Sequence, residues 1–136
     1  MLEKKNEIED ILNYYSIGSL VKIKAKLDAG FQSENFHIVT EKGDFVIREL
    51  YDSKKNVNIS MRVYEYLASN GLKIPKPIRT KDNQLFLSRT VNEFIGIQTF
   101  IEGSPEINNR KINELLPSEY HMYIPSKTQS SILVVD

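Results

Sequence analysis

The sequence predicts an α+β domain: an antiparallel sheet of about five strands, an N-terminal helix, and one helix inserted within the sheet. Three observations predict it. Val21-Lys-Ile-Lys-Ala-Lys-Leu27 alternates strictly between apolar and charged residues, as a half-buried strand does. Two short apolar runs follow, Phe36 to Thr40 and Asp44 to Leu50, separated only by Glu41-Lys42-Gly43. The period then changes, because Val57, Met61, Tyr64, Leu67 and Ala68 recur at helical spacing up to Gly71, a C-terminal stop.

The remaining elements follow in chain order. Residues 3–15 carry Ile8, Ile11, Leu12 and Tyr15, one stripe of an amphipathic helix that Ser16 to Ser19 breaks, with Gly18 as its stop. Glu3, Glu7, Glu9 and Asp10 read as favourable charges near the start of that helix. Leu72 to Pro77 is extended, since each proline restricts its predecessor to β or polyproline geometry. Ile78 to Thr80, Leu85 to Arg89 beyond the turn Lys81-Asp82-Asn83, and Phe94 to Ile101 supply further strands. Asn109 to Leu116 makes two helical turns before Pro117, and residues 118–136 show neither period nor clear turns.

Composition bounds the function. The 136 residues suit one domain, and 40% hydrophobic with 26% charged residues is an ordinary globular balance. Net charge is zero, so no global field attracts nucleic acid or an anionic membrane. Lys22, Lys24 and Lys26 are read as the solvated face of a strand that discourages edge pairing. A nucleic-acid surface would add exposed aromatics and net positive charge. Without cysteine there is no thiol chemistry, and a reducing, cytoplasmic setting is expected. The N-terminus is charged where a signal peptide is apolar, and Ile132-Leu-Val-Val135 is far too short to span a membrane. The two histidines are distant in sequence and give no metal-site spacing.

One stretch carries chemistry. Asp28 to Arg48 reads as strand, glycine-containing loop, strand, tight turn, strand, with a cation inside the last apolar run. A glycine loop lets backbone N–H groups approach phosphates, and a fixed cation can sit beneath them. The alternative is a plain three-strand meander with a surface arginine.

The order of pieces resembles the small lobe of the kinase-like phosphotransferases, the family of aminoglycoside phosphotransferases, choline kinases and the second type of homoserine kinase. The resemblance rests on Tyr15-Ser-Ile-Gly18, the loop Gly30-Phe-Gln-Ser-Glu-Asn-Phe36, Gly43-Asp-Phe-Val-Ile-Arg48, Tyr66-Leu-Ala-Ser-Asn-Gly71 leading to Pro75-Lys-Pro77, and Phe100-Ile-Glu-Gly103. It implies a nucleotide-binding lobe over residues 1–103 and a short helix with an irregular tail over 104–136. It implies ATP as the ligand, with Gly30, Phe31, Ser33 and Asn35 in the loop over its phosphates. Arg48 takes the place of the family's phosphate-directed cation. Val46 and Leu50 share its strand face and would wall the adenine. Gln98, Thr99, Phe100 and Ile101 match the hinge whose backbone meets the adenine edge. The helix position where family kinases carry an orienting glutamate is Ser60 here, and Glu65 faces elsewhere, so no ion pair to Arg48 is expected.

Phosphoryl transfer also needs a catalytic aspartate and Mg²⁺ ligands. The family places these on a His-Gly-Asp loop and a later acidic residue, and this sequence has no His-Gly-Asp. The expectation is an ATP-binding lobe of a small-molecule phosphotransferase that is truncated and inactive alone, using Mg²⁺ only if a catalytic lobe is supplied. The alternative is a non-enzymatic interaction module that keeps the lobe's shape. Apolar surface left open on the Val46 and Leu50 face would favour self-association.

Overall fold

A computed structural model describes residues 2–28, 34–103 and 108–123. Helix α1 (Leu2–Leu12) precedes strands β1 (Leu20–Asp28), β2 (Glu34–Thr40) and β3 (Gly43–Tyr51). Helix α2 (Lys54–Ser69), strands β4 (Leu87–Thr90) and β5 (Glu93–Thr99), helix α3 (Asn109–Leu115) and a 3-10 turn (Ser118–Tyr123) follow. The five strands form one antiparallel sheet in the order β1-β2-β3-β5-β4. The expected α+β class, with a helix inserted between the third and fourth strands, is what the chain adopts.

The sheet's pleat sorts side chains between two layers. Phe36, Ile38, Phe45, Ile47, Ile95 and Ile97 point to one face and bury the α1 stripe of Ile8, Ile11 and Leu12. On the opposite face Leu50 and Phe94 pack with Val57 and Met61 of α2 and with Leu85. Beyond it, Val63 and Leu67 of α2 meet Leu72, Ile74, and Ile112 and Leu116 from the α3 region.

Helix α2 is capped at both ends. Ser53 accepts the Asn56 N–H on its hydroxyl at 3.1 Å. At the other end Leu72 N–H donates to the Leu67 carbonyl and Gly71 N–H to the Ala68 carbonyl, with Gly71 at φ +93°. That paired arrangement satisfies carbonyls the helix itself leaves open.

Three local expectations need correction. Helix α1 ends at Leu12 rather than residue 15, because Asn13, Tyr14 and Tyr15 donate to carbonyls three residues back and tighten the last turn. Gly18 is therefore no helix stop; it lies at φ +84° where the chain passes Glu41. Ile78 to Thr80 is no strand, because Pro75 and Pro77 lack the N–H groups a ladder requires. The segment instead makes one bridge, Pro77 to Gln98, flanked by Thr99 N–H to the Lys76 carbonyl and Ile78 N–H to the Ile97 carbonyl.

Along β1, Lys26 pairs with Glu34 at 3.2 Å and Lys24 lies 4.0 Å from Asp44. Among the described residues no helix is long and apolar enough to cross a membrane.

Candidate functional site on the sheet face opposite α1

The hairpin sets the site's geometry. With Thr40 opposite Gly43, His37 falls opposite Val46, and Val46 is in turn opposite Gln98 on β5. His37, Val46 and Gln98 thus form one cross-strand row on the face turned from α1. All three are buried, with at most 2% of their surface exposed. One step along β3, Arg48 lies opposite Gly96, and one step further Leu50 lies opposite Phe94.

Arg48 is the centre of the cluster. Its Nη1 donates to Gln98 Oε1 at 3.3 Å. Burial pulls its pKa below the ordinary arginine range, and the neighbouring Tyr64 oxygen, from α2, opposes that pull. The Tyr64 hydroxyl is itself pushed upward by burial. Among the described residues Arg48 has no carboxylate partner. Glu65 is committed elsewhere, gripping Arg79 in a bidentate pair at 2.7 and 2.8 Å.

Three buried polar atoms of this face have no hydrogen-bond partner among the described residues: Arg48 Nε, Gln98 Nε2 and His37 Nδ1. Leaving such a group unmet costs about 1–3 kcal/mol, so a cluster of them points to a ligand that meets them. Because Gln98 Oε1 accepts from Arg48, its amide nitrogen is left as a free donor. His37 is held by Asp44, with Nε2 2.6 Å from Oδ2, and its ring stacks on Phe100.

The structure brings Val46, Arg48 and Gln98 together on one face and places Thr99, Phe100 and Ile101 at the end of β5. Thr99 is occupied, its N–H donating to the Lys76 carbonyl and its Oγ1 accepting from the Lys76 N–H, both at 2.9 Å. Phe100 and Ile101 follow directly after the last strand residue. Asn35 is buried, and its Oδ1 accepts the Glu49 N–H at 3.0 Å, so it fastens β2 to β3. Gly30, Phe31 and Ser33 lie outside the described residues. Leu50 is core packing beneath α2 rather than a pocket wall, and Val46 is 1% exposed. The open apolar face expected to drive self-association is therefore absent at those side chains. A separate hollow of about 520 Å³ opens on the α1 side, among Ser16, Gly18, Lys42 and Lys81.

Sequence reasoning missed His37, Asp44 and Tyr64. The hairpin register alone puts His37 beside Val46, while Tyr64 is hidden in the apolar stripe of α2.

Known proteins share this fold. In fold the chain is similar to the amicoumacin kinase hAmiN, solved with AMP-PNP, Ca²⁺ and Ami, at a TM-score of 0.57 and 13% identity over 80% of this chain and 34% of that one. It is equally similar to spectinomycin phosphotransferase APH(9)-Ia, solved with ADP and spectinomycin: TM-score 0.57, 18% identity, 86% of this chain and 40% of that one. In sequence it is similar to homoserine kinase of Brucella anthropi, 32% identical over 107 residues, covering 72% of this chain. In fold and sequence the chain is similar to the aminoglycoside phosphotransferase-like, kinase-fold family. It matches the family's N-terminal part. Homoserine kinase of a Bradyrhizobium species shares 29% identity over 101 residues. The chain spans about a third of these curated relatives, 31% and 30% of their lengths. No family model matches it.

Proposed function

We propose that this chain is the ATP-binding lobe of a small-molecule phosphotransferase and that the nucleotide lies against the face bearing Val46, Arg48 and Gln98. The observation that carries the reading is half-buried Arg48, whose buried Nε–H has no acceptor and whose guanidinium has no carboxylate partner among the described residues. A buried cation without a counter-charge destabilises a fold, and an anionic ligand reverses that cost. A phosphate suits it, since a guanidinium matches phosphate oxygens in charge and geometry. The backbone of Phe100 and Ile101, just past the end of β5, is placed to meet the polar edge of a base. In the two solved relatives the bound nucleotides are AMP-PNP and ADP.

The homoserine kinases suggest a small hydroxyl compound as acceptor, homoserine being one candidate. The described residues hold no group of three or more His, Cys, Asp or Glu side chains able to hold a metal, so Mg²⁺ is given no site on them. The base and metal ligands of transfer belong to residues other than these. A second reading, a binding module retaining the lobe's shape, is favoured by the closed state of the Val46 row.

Calorimetric titration with ATP tests the proposal. Binding is expected near a Kd of about 1 mM, roughly −4 kcal/mol. Arg48→Ala weakens it by about 1–3 kcal/mol if the guanidinium contacts phosphate. Equal affinity in the variant would remove Arg48 from the site.

A further inference from the structure

Phe100 lays its ring on His37 with centroids 3.9 Å apart and planes 12° from parallel. That is how a nucleobase stacks on an aromatic side chain. The two partners are held very differently. His37 sits within β2, 2% exposed, with Nε2 fixed by Asp44 at 2.6 Å. Phe100 lies just past the end of β5, half-buried. One ring is pinned within a strand by an ion-pair partner, and the other lies beyond a strand end with more of its surface exposed. The stack adjoins Val46 and the free Gln98 amide donor, so a ring replacing Phe100 would find an apolar neighbour and a hydrogen-bond donor beside it.

We propose that His37 is a stacking platform for a planar heteroaromatic ring, a purine base, and that Phe100 is the chain's own occupant of that platform, displaced when the base binds. The proposal rests on the nucleotide reading above and adds to it the residue the base stacks upon and the side chain it competes with. Asp44 acts as a positioning residue by holding the imidazole plane. Affinity for a base is lowered by the fraction of molecules in which Phe100 occupies the platform.

Titrations with adenosine, which has a base but no phosphate, and with ATP test this on the full chain. Phe100→Leu removes the competing ring and keeps an apolar side chain. It should bind adenosine about two- to tenfold more tightly, the equivalent of one aromatic stack. Phe100→Tyr retains the stack and should titrate like the wild type. His37→Leu in the Phe100→Leu background should abolish the gain. In the wild-type chain, adenosine must shift the His37 ring-proton resonances, a reading that requires no variant to fold.

Unchanged or weaker adenosine binding in Phe100→Leu, or His37 resonances indifferent to adenosine, overturns the proposal. If ATP still binds in an Arg48-dependent way, the nucleotide reading survives that result. If neither ATP nor adenosine binds any folded variant, both fall together.

Discussion

Arg48 sets a testable conflict between stability and binding. Its guanidinium is desolvated by burial, an effect the Tyr64 oxygen opposes, with Gln98 Oε1 as its hydrogen-bond acceptor among the described residues. An apolar side chain of similar length avoids both the desolvated charge and the idle Nε–H. Arg48→Met should therefore raise the unfolding free energy of the ligand-free chain by about 1 kcal/mol or more while losing ATP binding. Urea denaturation of both proteins, with and without ATP, measures the two effects. A destabilised Arg48→Met would mean that the charge is already compensated. Arg48 was legible in the sequence because a cation interrupts an apolar strand. His37 was not, because a histidine in a strand takes its meaning from what lies across the ladder. Only the Thr40 and Gly43 pairing places it in a row with Val46 and Gln98.

Among the elements, the close approaches that fix α2 and the start of β1 carry the sharpest expectations. Gly18 lies at φ +84°, and a Cβ there would stand 2.9 Å from Glu41 Cβ. Glu41 in turn accepts the Ser19 N–H on Oε1 at 2.8 Å, so movement to relieve the clash disturbs that bond. Gly18→Ala should cost about 1–3 kcal/mol through left-handed strain and this contact. Ser53→Ala should cost about 0.5–2 kcal/mol by removing the α2 cap. Thermal unfolding checks both, and a neutral Gly18→Ala would show that the approach can relax freely. The helical stripe located α2 but began it at Val57, because Lys54, Lys55 and Asn56 occupy a first turn with no apolar side chain to mark it. Ile78 to Thr80 misled because its residues suit a strand while Pro75 and Pro77 deny it a ladder.

At the scale of the whole molecule, the two-layer order of helix, sheet and helix was readable from the change of period along the chain. The 3-10 turn Ser118–Tyr123 was not. It has no buried residue of its own and rests against α2, where Tyr123 packs on the Val63 and Leu67 cluster. No apolar period marks such a segment. On the proposed reading the described residues bind and orient a nucleotide, through a platform, a cation and free donors, without supplying a base for the acceptor hydroxyl. The purified chain should accordingly form no phosphorylated product from ATP and homoserine, choline or an aminoglycoside. Mg²⁺-dependent product that persists after contaminating kinases are removed would contradict this division of labour.

The most direct measurement is a residue-resolved NMR titration of the chain with ATP. Saturable amide shifts are predicted to be largest at Val46, Arg48, Gln98, Phe100 and Ile101 and within residues 30–35, with a midpoint of about 1 mM. Shifts confined to the hollow around Ser16, Gly18, Lys42 and Lys81, or no saturable shift at all, would contradict a nucleotide site on the Arg48 face.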